Sequence, residues 1–114
     1  MKGDKNTKVY LNDIYDCILK IEEYLEDFSE EHFYEDYEKQ DSVLRRLEII
    51  GEAVKQLSDE VKEKYPKIPW KDIAGTRDVL IHEYSGVNMI RIWKTVKKDI
   101  PELKKNIEEM LKKS

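Results

Sequence analysis

The sequence contains one cysteine, Cys17, which excludes a disulfide within the chain. Cys17 lies among apolar residues of a predicted helix, and we expect it to be a buried, reduced thiol. The chain has only two histidines and shows no Cys/His cluster of the kind that binds zinc. We therefore predict no metal site and no cofactor.

Glycine and proline are also scarce, with four and three in 114 residues, which disfavours a disordered tail or a β-sandwich. No apolar run approaches the ~20 residues that cross a membrane, so we predict no membrane partner. The first residues lead into no hydrophobic signal region, and we expect a cytoplasmic protein. The length fits a single domain over residues 1–114.

The net charge of −4 is unevenly distributed along the chain. Residues 22–41 carry ten acidic residues and one lysine, whereas residues 70–98 carry six Lys/Arg and three acidic residues. An overall negative charge disfavours broad, sequence-independent coating of nucleic acid. The acidic segment is interpreted as a solvated helix face, and the basic excess surrounds the motif described below.

Apolar residues recur at steps of three and four, which predicts amphipathic helices. The first apolar stripe, with Val9 and Tyr10 expected at the helix start, comprises Leu11, Ile14, Ile18, Ile21, Leu25 and Phe28. A second long helix is predicted from about Asp36 to Leu57, with the stripe Val43, Leu47, Ile50, Val54 and Leu57. Gly51 interrupts this second helix, which indicates that another helix approaches it closely.

Pro66 and Pro69 mark the clearest break in the chain. A third main helix is predicted from about Trp70 to His82, and a last helix follows a turn at residues 85–88. Pro101 should kink that last helix or restart it near residue 99. Ser29, Ser58 and Asn88 are expected helix caps, and Trp70 and Trp93 are expected core anchors. No strand pattern competes, so we predict an all-α, up-down bundle of four main helices plus short helices.

Residues 77–84 read R-D-V-L-I-H-E-Y and combine Arg77, His82 and Tyr84 within two helical turns. The arginine side chain binds phosphate in a fork, and histidine transfers protons near pH 7. This combination indicates chemistry on a phosphodiester, with Asp78 as a residue that could orient Arg77 or His82. In the simplest non-functional interpretation, Arg77 pairs with a nearby acidic residue and His82 is only a helix-end residue.

The spacing of Arg77 and His82 argues against a site on one helix face. Five residues separate them, which places them about 140° apart around a helix axis and roughly 7.5 Å apart along it. Two alternatives remain open. The helix ends near His82 and frees that side chain to turn, or the site combines residues from two chains across a dimer.

The segment also resembles a known signature. R-D-V-L-I-H-E-Y matches the R-x-x-x-x-H-x-Y motif of the HepT-like branch of the HEPN ribonuclease toxins. Residues 47–53 are similar to the family's "IIGEA" segment, residues 68–77 to its "IPW…I-x-G-x-R" approach, and residues 93–103 to its "W…V…D-[IL]-P-x-L" segment. The resemblance covers roughly residues 9–112.

The resemblance implies a helical bundle that forms homodimers, with two motif copies facing a shared cleft. It implies a metal-independent ribonuclease that is the toxin of a type VII toxin–antitoxin module. The partner it implies is a cognate minimal nucleotidyltransferase antitoxin, which transfers AMP to the motif tyrosine, here Tyr84. The acidic segment 22–41 then has two further interpretations, as a docking surface for a basic antitoxin or as a surface that steers RNA towards the cleft.

The expected mechanism is attack by an RNA 2′-OH on the adjacent phosphate. His82 is the candidate general acid/base, and Arg77 would stabilise the charge that develops on the phosphate. Glu52 either reaches this site or is a solvated glutamate. The alternative function is a non-catalytic helical partner that presents a substrate to a nucleotidyltransferase, while the break at Pro66–Trp70 disfavours a structural coiled coil.

Overall fold

A computed structural model describes residues 2–82 and 88–113, with the side chains of residues 6–78, 80 and 88–113. Within these ranges the chain is helical and contains no strand. The helices are α1 (Lys2–Tyr24), α2 (Glu30–Glu35), α3 (Tyr37–Gln56), α4 (Asp59–Lys64), α5 (Trp70–His82), α6 (Met89–Lys94) and α7 (Ile100–Lys113). A π-helical turn, Thr95–Asp99, joins α6 to α7, so four main helical runs and two short helices form the predicted all-α fold.

The predicted capping residues begin their helices. The side chains of Ser29, Ser58 and Asn88 accept hydrogen bonds from backbone N–H groups in the first turns of α2, α4 and α6. Asp36 caps α3 in the same way. Because each cap satisfies donors that the helix itself leaves unpaired, these short polar side chains fix where the helices start.

Helix α3 is the centre of the bundle and packs mainly against α1 and α5. Helix α7 packs against α1, and α2 lies between α3 and α6. The predicted apolar stripes supply the core, and its fully buried large side chains are Leu11, Ile14, Ile18, Ile21, Phe33, Val43, Ile50, Val54 and Ile107. Trp70 is buried as predicted, and the partly buried Trp93 packs on Phe33 with ring centroids 5.4 Å apart.

Two buried polar groups hold the short helices to the bundle. The Gln40 side chain donates to the carbonyl oxygens of Phe33 and Tyr34, 3.0 and 3.1 Å away, at the end of α2. The Trp70 indole N–H is shared between the carbonyl oxygens of Lys62 and Tyr65 at the end of α4, at 3.1 Å each. Because both side chains donate to carbonyl oxygens in the last turns of short helices, they add C-terminal caps to α2 and α4, and the Lys62 carbonyl also accepts from the Tyr65 N–H.

The structure corrects both boundaries of α1 and specifies one further boundary. Helix α1 ends at Tyr24, before the expected last stripe residues Leu25 and Phe28, because the chain turns at residues 25–27. Helix α1 begins at Lys2, well before the expected start at Val9, because polar residues can extend a helix where no apolar stripe marks it. Pro101 lies just after the π-helical turn, in which the Ile100 N–H donates to the Thr95 carbonyl. A proline crowds the carbonyl four residues earlier, and the wider turn accommodates it without ending the helix.

Candidate active site

Helices α3 and α5 meet at Gly51, directly beside Arg77. A Cβ atom built on Gly51 would lie 2.3 Å from the Cβ of Arg77 and 3.2 Å from the carbonyl oxygen of Ile73. Only a residue without a side chain allows this approach. The close approach predicted from Gly51 is therefore present, and it fixes the backbone position of Arg77 against α3.

Arg77 projects between two carboxylates. Its Nε lies 2.9 Å from a carboxylate oxygen of Glu52 on α3, and one terminal nitrogen donates to Oδ1 of Asp78 at 3.2 Å. The Nε–H is not directed at the Glu52 oxygen, so that contact is an ion pair rather than a hydrogen bond. The guanidinium is thus held on two sides, with 28% of the Arg77 side chain exposed.

Asp78 also accepts a hydrogen bond from Lys55, which lies one turn beyond Glu52 on α3. This bond is the main cause that lowers the pKa of Asp78, and the bond from Arg77 acts in the same direction. Asp78 is therefore an anion at neutral pH. The arrangement is a chain of alternating charge that runs from Glu52 through Arg77 and Asp78 to Lys55.

Arg77 also lines an open groove of about 280 Å³ between α1, α3 and α5. Tyr10 and Asp13 of α1 form one wall of the groove. The α3 wall comprises Arg45, Glu48, Ile49, Glu52, Ala53 and Gln56. We name this space the α3 groove, and it gives a polar ligand access to Arg77.

A larger cavity of about 510 Å³ lies elsewhere, between the end of α1 and the π-helical turn. Its apolar floor is flanked by four carboxylates and one lysine, from Glu22, Glu23, Glu26, Asp27 and Lys97. This rim is strongly negative and would repel a phosphate. Size therefore does not identify the candidate site. The α3 groove, with two arginines against three carboxylates, is the less negative of the two and is favoured.

The structure describes the other motif residues only in part. The backbone of His82 belongs to α5. Its position is therefore about 140° around the helix axis from that of Arg77, as expected for a continuous helix. The side chain of His82 and residues 83–87, including Tyr84, lie outside the described residues. The predictions for His82 and Tyr84 therefore remain predictions, whereas Arg77 and Asp78 are brought into contact.

The structure adds two residues of α3 to the candidate site. Glu52, which sequence analysis left either solvated or near the cleft, contacts Arg77. Lys55 was not singled out from the sequence. Its signal was the three-residue spacing from Glu52, which places both side chains on one edge of α3 beside Gly51. The second histidine, His32, is exposed on α2 and has an edge contact with Phe28.

No three His, Cys, Asp or Glu side chains in the described part of the chain are arranged to hold a metal ion. None of the described helices is long and apolar enough to cross a lipid bilayer. Cys17 is buried as predicted, and burial raises the pKa of its thiol.

Comparison with known proteins gives a family match over residues 14–110, to the family described as "Ribonuclease HepT-like". A "Gamma-glutamylcyclotransferase and putative RNase" of Methanocaldococcus jannaschii is 52% identical over 95% of this chain, which spans 47% of that protein. A "Putative RNase" of Caldanaerobacter subterraneus subsp. tengcongensis is 49% identical, over 96% of this chain and 97% of that protein. A "Probable ribonuclease HepT" of Thermococcus cleftensis is 45% identical, over 95% of this chain and 98% of that protein. No solved structure matches the chain.

Proposed function

The chain belongs to the ribonuclease HepT-like family, and we propose that it cleaves RNA phosphodiester bonds without a metal ion, using Arg77 and His82. The family match supports ribonuclease activity, and the similarity of this chain to a "Probable ribonuclease HepT" agrees with it. The observation that carries the proposal is Arg77, fixed by the α3–α5 contact and open to the α3 groove.

The proposed reaction begins when the 2′-OH of a nucleotide attacks the adjacent phosphorus. A histidine takes the 2′ proton, the new P–O2′ bond forms, and the P–O5′ bond breaks as a second acid supplies a proton to the leaving oxygen. His82 suits both steps because the reference pKa of histidine is about 6.5. The products are a 2′,3′-cyclic phosphate and a 5′-hydroxyl.

Arg77 has the role of stabilising the negative charge that develops on the phosphate. Its contacts with Glu52 and Asp78 support this role, because they fix the guanidinium before substrate arrives. Asp78 is proposed as the residue that orients Arg77.

We propose that two chains form a homodimer in which two copies of the motif share one cleft. The supporting argument is geometric, because Arg77 and His82 lie on one continuous helix about 140° apart. With one His82 from each protomer, one imidazole acts as base and the other as acid. The cleft would then be complete only in the dimer.

The proposed biological setting is a cytoplasmic type VII toxin–antitoxin module. The cognate partner is a minimal nucleotidyltransferase that transfers AMP to the hydroxyl of Tyr84. An adenylyl group there would add bulk and negative charge to the motif and so oppose binding of the RNA phosphate. The alternative, a non-catalytic partner of a nucleotidyltransferase, needs no reactive His82.

The central test compares the chain's two histidines. We expect His82→Ala to lose at least about 100-fold in the rate of RNA cleavage measured with a chelator present, since general acid/base catalysis contributes about 100- to 10,000-fold. His32→Ala is the matched control and should cleave at the wild-type rate, because His32 is exposed on α2. A fully active His82→Ala variant would refute this assignment, and absence of cleavage by the wild type would favour the non-catalytic alternative.

The regulatory proposal is tested at Tyr84. We expect Tyr84→Phe to keep RNA cleavage but to resist neutralisation by the co-expressed nucleotidyltransferase, because it lacks the hydroxyl that accepts AMP. Intact-mass measurement should show an AMP adduct on the wild type and none on the variant. Equal neutralisation of both proteins would contradict modification at this residue.

A further inference from the structure

One carboxylate oxygen in the candidate site lies between two cations. Oδ1 of Asp78 accepts hydrogen bonds from both the Arg77 guanidinium and the Lys55 ammonium group. The two cations come from different helices, α5 and α3, and the Gly51 contact sets their spacing. A single anionic oxygen held between a guanidinium and an ammonium group is also the arrangement that binds a phosphate oxygen.

We propose that Lys55 and Arg77 together form a subsite for one phosphate of the RNA, and that Asp78 occupies this subsite in the free protein. This inference rests on the proposed ribonuclease function and adds Lys55 to the residues that touch the substrate. The RNA phosphate displaces the Asp78 carboxylate and takes over its two cationic partners.

The charges are compatible with this exchange. A carboxylate and a phosphodiester each carry one negative charge, so the two cations remain neutralised after the exchange. Glu52 stays on the Nε side of Arg77, whereas Asp78 contacts a terminal nitrogen. The guanidinium therefore keeps its position on α3 while one of its terminal donors changes partner.

Access and energetics also favour the exchange. The Asp78 side chain is 48% exposed and the Lys55 side chain is 35% exposed, so a phosphate can reach both. Ion pairs with this much exposure contribute little to folding stability, and the protein loses little when they open.

The first experiment measures binding of a fluorescent single-stranded RNA oligonucleotide by anisotropy over a series of KCl concentrations. All proteins carry His82→Ala to prevent cleavage. When a variant binds one phosphate fewer, the slope of log affinity against log salt falls by about 0.7, and affinity at physiological salt falls about four-fold. We expect this change for Lys55→Ala but not for Lys105→Ala, an exposed lysine on α7, which packs against α1 rather than at the contact of α3 with α5. Lys55→Arg should restore the slope.

The second experiment uses Asp78→Asn in the same background. Removal of the internal anion should tighten RNA binding several-fold, because the phosphate no longer competes with it. Asp72→Asn is the matched control, since Asp72 is exposed in the first turn of α5 and the substitution changes the net charge equally. If Asp78→Asn binds RNA more weakly than Asp72→Asn, Asp78 only orients Arg77 and the inference is overturned.

The outcomes separate this inference from the function on which it rests. If the wild type cleaves RNA while Lys55→Ala and Lys105→Ala have the same salt slope, the phosphate subsite is wrong and the ribonuclease stands. If the wild type neither cleaves nor binds RNA at low salt, both proposals fail together. A reduced slope for Lys55→Ala together with tighter binding by Asp78→Asn supports the two-cation subsite.

Discussion

At the residue scale, the reactive side chains of the candidate site could be identified in the sequence, whereas some of their contacts could not. Arg77 and Asp78 are neighbours in sequence, so their pairing could be anticipated. Glu52 and Lys55 lie more than twenty positions earlier, and their contacts depend on how α3 packs against α5. No local pattern encodes that packing, although Gly51 marks the point of closest approach.

A second single-residue feature is the backbone of Asp27, in the turn after α1. Its φ of 62° makes it the only described residue other than glycine with a positive φ. This region is strained for residues with a Cβ and is favoured by glycine after a helix end. We expect Asp27→Gly to raise the free energy of unfolding by about 0.5 kcal/mol, measured by urea denaturation.

Asp27→Ala is the matched control for this prediction. It removes the same negative charge from the acidic segment but keeps a Cβ at the strained position. We expect it to be less stable than Asp27→Gly. Equal stability of the two variants would show that relief of charge repulsion, and not backbone conformation, accounts for the gain.

At the scale of helices, the sequence predicted what local chemistry determines. Helices α3 and α5 match their predicted ranges because a cap or a proline break lies at their starts. The early start of α1 was missed because its first residues carry no apolar stripe. The effect of Pro101 was predicted only as a kink or restart, since the choice of a π-helical turn depends on the packing of α7 against α1.

The contact of α3 with α5 can be tested with two glycines. In Gly51→Ala the new methyl group would overlap the Cβ of Arg77, so the helices must separate. We expect a loss of about 1–3 kcal/mol in stability, as for other overpacked sites. We also expect a loss of about 10- to 100-fold in the RNA cleavage rate, because Arg77 moves with α5.

Gly75→Ala provides the control within α5. Apart from the adjoining backbone of α5, a Cβ at this position meets no atom of the described residues within 4 Å, and alanine favours a helix over glycine by about 1 kcal/mol. This variant should be at least as stable as the wild type. If Gly51→Ala is equally stable and active, the close approach of the two helices does not set the position of Arg77.

At the scale of the whole molecule, charge separates the surface into two parts. Four carboxylates from the start of the acidic segment 22–41 line the larger cavity at the end of α1, whereas Arg77 and Lys55 lie where α3 meets α5. A polyanion is therefore repelled at the larger cavity, whereas at the contact of α3 with α5 it meets two cations as well as Glu52 and Asp78. The charge counts along the sequence predict only part of this distribution, because Lys97 of the basic segment lines the acidic cavity and Lys55 lies outside that segment. The assembly of two chains is a property that one chain's fold does not determine.

The proposed shared cleft predicts that an inactive subunit inhibits an active one. By light scattering, the protein should have twice the 13.7 kDa mass of one chain. When wild type is refolded together with a nine-fold excess of His82→Ala, random pairing leaves most wild-type chains with an inactive partner. Cleavage at saturating RNA should then fall to about a tenth of that of wild type refolded alone. The same proteins mixed without refolding are the control, because they show how far the inactive variant lowers cleavage only by binding RNA. Unchanged activity after joint refolding would mean that each protomer holds a complete site and that Arg77 and His82 act within one chain.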